Sequence, residues 1–220
     1  MKKFLHIVLA CCTAYGMLVV LLSVLYFFVP PVSTLMLARW ASLQKVTYMP
    51  VPLSRISPHL LRSVVRAEDS RFCSHHGIDW NSLEQTVEDN IADRRKRGGS
   101  TIPMQVTKNL FLWPQPSYIR KAIEIPVAIF LNTIWPKSRM MEVYLSVAEW
   151  GTGIYGAEAA AKTYFHKHAS ELTAGEAALL AAALPNPRRR NPSAPTAYHA
   201  RYAGNLQKTA NQGIDISCLR

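Results

Sequence analysis

Between Phe4 and Val29 the chain reads FLHIVLACCTAYGMLVVLLSVLYFFV, without one Asp, Glu, Lys or Arg. As a helix rising about 1.5 Å per residue, this stretch crosses a hydrocarbon core of ~30 Å with length left for tilt. A cleaved signal peptide has a shorter apolar region and a small-x-small cleavage site. Here the bulky, rigid Tyr26-Phe27-Phe28-Val29-Pro30-Pro31 follows instead. The reading is therefore an uncleaved anchor, with residues 1–29 as tail and span. Lys2 and Lys3 lie on one side of it and Arg39 and Lys45 on the other, so the charge bias is slight. A short tail inside and a large domain outside is the default for one N-terminal span.

An anchor limits what the rest of the chain does. The 220 residues leave room for one domain of ordinary size. With 25 Lys+Arg against 14 Asp+Glu, the net charge is +11. That surplus favours polyanions, among them anionic lipid headgroups and phosphorylated substrates. Nucleic acid is set aside, because no recognisable binding motif accompanies the charge and the anchor's geometry opposes it. Cys11 and Cys12 lie in the span, and Cys73 and Cys218 are far apart, so neither a disulfide framework nor a CxxC zinc pattern is expected.

Residues 30–58 read as a membrane-proximal connector with Leu35, Met36, Leu37 and Trp40 as interfacial contacts. Residues 59–220 read as one mainly α domain. Leu60, Leu61, Val64 and Val65 give an apolar helix face. Asp79 is placed as the N-cap of a polar helix that ends in Arg94-Arg95-Lys96-Arg97 and breaks at Gly98-Gly99. Further helices are predicted over 103–112, 117–135, 138–149, 157–166 and 196–212, and after a capping box at Thr173–Glu176. Strand-like alternation is confined to Val46–Leu53, and glycines 151, 153 and 156 read as a flexible loop.

Chemistry concentrates in AEDSRFCSHHG, Ala67–Gly77. Neighbouring residues on a helix point about 100° apart, so Glu68 and Asp69 do not serve one point easily. Either one faces a cleft while the other makes structural hydrogen bonds, or both are solvated beside Arg66 and Arg71. The adjacent His75 and His76 lack metal-ligand spacing. In GGSTIPMQVTKN the glycines precede Ser100 and Thr101, and Gln105 and Lys108 share a helix face. That is an anion site or a basic surface loop. Arg120 and Glu124 are a plain i,i+4 pair, and PNPRRRNP, Pro185–Pro192, is a basic turn that binds phosphate or is merely solvated.

Taken in order, AEDSRFCSHHG, GGSTIPMQVTKN, RKAIE and KSRMMEVYL…GTGIYG…AAKTYF resemble the serial motifs of the peptidoglycan glycosyltransferase family. The resemblance runs from about Leu60 to Pro192. It fits the monofunctional form, since no room remains for a transpeptidase domain and the SxxK at Ser42–Lys45 lacks a following KTG. It departs at Ser146, where an Asn is usual, and the Trp113–Ser117 loop carries no cation.

The resemblance implies a lysozyme-like, two-lobed helical domain behind one transmembrane helix in the bacterial inner membrane, on its periplasmic side. Residues from about Asp79 to Arg97 would belong to a lobe that dips into lipid. The implied reaction polymerises lipid II with inversion and releases undecaprenyl pyrophosphate. Glu68 is then the base and Glu124 the second acid. Lys108, Arg120 and Lys121 neutralise the diphosphate, and Ser100, Thr101 and Gln105 line the donor groove. Asp69, Phe72, His75, Gly77, Asn109, Lys137, Glu142 and Tyr144 shape the motifs. A divalent cation, Mg or Mn, at the pyrophosphate is allowed but not required. The implied partners are lipid II, the nascent glycan strand, membrane lipid and cell-wall synthesis or division proteins. The rival readings are a lysozyme-like glycan-cleaving enzyme and a non-catalytic membrane-anchored scaffold.

Overall fold

The computed structural model describes residues 1–91, 99–210 and 212–219. The expected end of the polar helix at Arg94–Arg97 lies outside the described residues. Helix α1, Lys2–Phe28, is long and apolar enough to cross a membrane. Its last turns are gripped by the domain. Trp135 Nε1 donates to the Ser23 carbonyl at 3.0 Å, and Arg139 Nη2 donates to that of Val29 at 2.7 Å.

Within residues 34–57, Met36, Arg39, Ile56 and Ser57 are buried in the domain, while about half of the segment is exposed. In α2, Thr34–Ala41, Met36 is fully buried, which corrects its reading as an interfacial contact, and Leu35 packs against the core. Leu37 and Trp40 remain exposed. Arg39 is buried between the Tyr155 hydroxyl at 3.1 Å and the Glu149 carboxylate at 2.7 Å. A buried guanidinium needs such partners.

Strand β1, Thr47–Tyr48, pairs in parallel with β3, Ile154–Tyr155, which pairs antiparallel with β2, Glu149–Gly151. The glycine segment is thus a hairpin, not a flexible loop. A Cβ at Gly153 would sit 2.5 Å from the Lys45 carbonyl oxygen, and one at Gly156, at φ 95°, 2.8 Å from that of Met49. Only glycine admits that approach and that backbone.

Helix α3, Pro58–Glu68, starts at the Ser57 cap with proline in its first turn, and buries Leu60, Leu61, Val64 and Val65. It packs on α9, Ala174–Ala183, and α10, Ala197–Ala210. The alanines of α9 let those backbones come close, and its capping box at Thr173 and Glu176 forms as expected. Helix α4, Trp80–Ile91, is capped by Asp79, whose Oδ1 accepts from Ser82 N at 3.0 Å. Helix α5, Ile102–Phe111, packs against α6, Tyr118–Ile134, and α7, Lys137–Val147. Helix α7 stops before Glu149, which belongs to β2. Helix α8, Ala157–Phe165, follows the hairpin.

Cys73 and Cys218 form a disulfide, with Cα atoms 5.6 Å apart across a separation of 145 residues, against the expectation of none. It ties the 3₁₀ turn Ser217–Leu219, packed on α7, to the turn that follows Glu68. Two cysteines so far apart carry no local signal, and the fold alone brings them together.

Candidate active site

Helix α3 ends at Glu68, and the chain leaves the helix at Asp69, so the two carboxylates part company. Asp69 turns into the fold. Its Oδ2 accepts from Ile102 N at 2.9 Å, at the positive end of α5, and His75 Nε2 donates to it at 2.9 Å. Glu68 faces a cleft of about 1090 Å³. Its Oε2 accepts from Gln105 Nε2 at 2.8 Å, and among the described residues its Oε1 has no hydrogen-bond partner. Burial pushes the Glu68 carboxyl above the ordinary carboxylate range, opposed by the Gln105 bond and the Lys108 charge. Arg66 also lines the cleft, whereas Arg71 is the partner of Asp79 and of neither acid.

Gln105 is itself aimed. The Tyr144 hydroxyl lies 3.4 Å from its Oε1, which leaves the amide donor for Glu68. Burial raises the Tyr144 phenol well above its usual range, with the Glu68 and Asp69 charges adding to it, so the hydroxyl stays protonated.

One turn along α5 lies Lys108, on the same cleft. Burial pushes its ammonium below the ordinary lysine range, and the Glu124 and Glu68 carboxylates oppose that. Lys108 thus links the two acids electrostatically. Glu124 is 2% exposed, and its carboxylate accepts from Arg120 and, at 3.1 Å, from Lys121 Nζ. Lys121 also donates to Ser100 Oγ at 2.8 Å, which joins α6 to the cleft wall. The segments that carry Glu68, Gln105, Lys108, Ser100, Arg120, Lys121 and Glu124 are brought together.

Other expected residues have structural duties. Thr101 lines the cleft, and its hydroxyl donates to the Gly77 carbonyl at 2.6 Å and caps α5. Gly77, at φ 94°, passes close to the α6 backbone at Ala128. Phe72 is buried under Lys137, whose ammonium lies 4.6 Å from the ring centroid and donates to the His75 carbonyl at 2.8 Å. Burial lowers the Lys137 ammonium to about 8. Glu142 Oε2 accepts from Leu53 N at 2.7 Å, and the Asn109 carbonyl accepts from the Thr34 hydroxyl at 3.3 Å. Neither bond reaches the cleft. The Ser146 hydroxyl donates to the Glu142 carbonyl of its own helix at 2.9 Å.

The residues at the cationic wall do not fit a divalent metal. Glu124 is the carboxylate there, and two cations already occupy it. Among the described residues no cluster of three acidic, histidine or cysteine side chains forms. The sequence reading placed Arg190 only in a basic turn and missed Tyr198 and Tyr202, and all three line the same cleft. The one available signal was the spacing of two tyrosines four apart after a basic turn.

A family model described as Transglycosylase matches residues 35–210. A "Biosynthetic peptidoglycan transglycosylase" of Rhodospirillum centenum is 50% identical over 195 residues, covering 88% of this chain and 84% of the relative. A protein of the same name from Rhodopseudomonas palustris is 50% identical over 88% of this chain and 83% of its own. Another from Agrobacterium fabrum is 48% identical over 87% and 85%. With Glu68 and Lys108 in one cleft, Arg120, Lys121 and Glu124 packed behind Ser100 on its wall, and a family model that matches most of its length, the chain belongs to the transglycosylase family and is a glycosyltransferase.

Proposed function

We propose that this chain polymerises lipid II into glycan strands, releasing undecaprenyl pyrophosphate with inversion at the anomeric carbon. The observation that carries this reading is the single cleft in which Glu68 offers an unpartnered oxygen beside Lys108. The relatives' name, biosynthetic peptidoglycan transglycosylase, supports a peptidoglycan precursor as the substrate class.

The acceptor sugar's 4-hydroxyl gives its proton to Glu68 Oε1, and its oxygen attacks the anomeric carbon of the growing strand. The bond from that carbon to the diphosphate oxygen breaks, and the diphosphate leaves with the electron pair. Lys108, Arg120 and Lys121 neutralise the charge that develops there. Glu124 holds Arg120 and Lys121 in place rather than donating a proton, since a diphosphate leaves without one. Gln105 and Tyr144 aim the base.

Residues 1–29 serve as tail and single-pass anchor, with the catalytic domain on the outer face of the cytoplasmic membrane, where lipid II is presented. The domain takes in the residues from Thr34 onward. The test is to incubate the detergent-solubilised protein with lipid II and look for polymer. Polymer formed by the native chain and not by Glu68→Gln supports the reading. Cleavage of finished glycan without polymer assigns a lysozyme-like hydrolase instead. Polymer formed equally by Glu68→Gln overturns the role of Glu68.

A further inference from the structure

The cleft has a second wall, different in chemistry from the cationic one. It is built by α10 and the turn before it. Tyr198 and Tyr202 lie four apart and share a helix face. The Arg190 guanidinium sits 5.5 Å from one ring centroid and 5.7 Å from the other. Its Nη1 donates to the Ala182 carbonyl at the end of α9, at 2.6 Å. An arginine fixed at one end and packed on two rings holds both rings in place. Yet Tyr198 is 65% exposed, so a large ring is presented to the cleft rather than buried.

The two walls lie on different scaffolds. Helix α10 packs on α3 and α9, whereas α5, which carries Gln105 and Lys108, packs on α6 and α7. Glu68, at the end of α3, stands between them. The charge of Arg190 reaches Glu68 and that of Glu68 reaches the Tyr202 phenol, so the aromatic wall lies close to the base. Among the described residues, Arg190 is the one cation that α10 and the turn before it contribute to the cleft lining. The rest of the wall's chemistry is two ring faces, two phenol hydroxyls and the amide of Asn205. Pyranose rings present flat C–H faces and a rim of hydroxyl and acetamido groups. Fixed aromatic faces with polar tips complement both.

We propose that Tyr198, Tyr202 and Arg190 form a saccharide platform that holds amino-sugar rings on the far side of Glu68 from the diphosphate. This rests on the polymerase reading of the site. The same ring chemistry comes from two sources, the incoming monomer or the growing strand. Tyr198→Ala and Tyr202→Ala, made in the full-length protein in detergent, separate them. A KM for lipid II raised about two- to tenfold, with kcat little changed, assigns the platform to the monomer. An unchanged KM with shorter strands on a gel assigns it to the growing strand. Both quantities unchanged in the double variant overturn the proposal.

A binding arm works even without polymerisation. The probe is a lipid-free tetrasaccharide of alternating N-acetylglucosamine and N-acetylmuramic acid, followed by saturation-transfer NMR. Binding to the native chain and to Glu68→Gln, lost in the two Ala variants and restored by Tyr198→Phe and Tyr202→Phe, supports the platform. Binding that survives both Ala substitutions overturns it. Restoration by Phe also separates loss of the ring from loss of the fold.

Discussion

Gln105 donates its amide to one oxygen of Glu68 at 2.8 Å and leaves the other without a partner among the described residues. A carboxyl held by one oxygen, with the other buried and unpaired, is destabilised as an anion and so takes up a proton more readily than a free glutamate. Glu68→Gln is expected to lower polymerisation by about 10²–10⁴-fold in a lipid II turnover assay. The same change is expected to raise Tm near neutral pH. The folded-state carboxyl of Glu68 sits above its unfolded range, so the folded state binds the proton more tightly. Stability is therefore lost as pH rises from the ordinary carboxylate range through the raised one, and the amide escapes that loss. Thermal unfolding at two pH values checks the sign.

The two charged groups of the cleft set the pH–rate profile. Activity is expected to rise with pH as Glu68 loses its proton, at a higher pH than a free glutamate would need. It is expected to fall again as Lys108 loses its charge, at a lower pH than a free lysine would. Lys108→Arg is expected to move the alkaline limb upward and leave the acid limb in place, measured as kcat/KM against pH.

Glu124 is buried against two cations. Glu124→Ala leaves Arg120 without its carboxylate and is expected to cost about 3 kcal/mol or more, a fall in Tm of roughly 6–12 °C. Lys121→Ala is expected to cost far less stability, because that side chain is 31% exposed and its pair is screened. Both variants are expected to lose turnover. Differential scanning fluorimetry beside the lipid II assay separates the two effects.

The Cys73–Cys218 bridge is expected to contribute about 2–5 kcal/mol. Dithiothreitol is expected to lower Tm of the native chain and to leave that of the Cys73→Ser, Cys218→Ser double variant unchanged. A Tm insensitive to reductant in both proteins means that the bridge is absent.

Ser146 stands where the family resemblance places an asparagine, but its hydroxyl bonds only within α7. Ser146→Ala is expected to change stability and activity little, within about 0.5 kcal/mol. Ser146→Asn puts a larger group at a site 5% exposed and is expected to cost about 1–3 kcal/mol. Equilibrium denaturation of the two variants checks the contrast.

Local patterns were legible and long-range ones were not. The anchor, the Asp79 cap and the Thr173 capping box each follow from a few adjacent residues. The helical angle suggests that Glu68 and Asp69 part but leaves a solvated pair open, and the structure parts them by ending α3 between them. The hairpin of β2 and β3 reads as a loop because its strands are only three and two residues long, too short to show alternation, and the strand that adds to them, Thr47–Tyr48, lies about a hundred residues earlier. The Arg39–Glu149 pair and the disulfide were hidden for the same reason. Met36 looked interfacial by composition, and only tertiary packing puts it in the core. Glu124 with Arg120 looked like a weak surface pair, and its burial under the cleft wall gives it weight. Tyr198 and Tyr202 were read simply as part of a helical tail, because nothing local says which cavity a helix face borders.

The grip of Trp135 and Arg139 on the last turns of α1 bears on how the reaction is positioned. Both ends of α6 are committed, one to the anchor and the other to Arg120, Lys121 and Glu124. From Glu124 to Trp135 the rod runs roughly 17 Å at helical rise. With α1 in a bilayer, the altitude of bond exchange above the lipid is fixed by that rod rather than left to a swinging leash. A substrate whose own tail is rooted in the same sheet of lipid then arrives at one constant height.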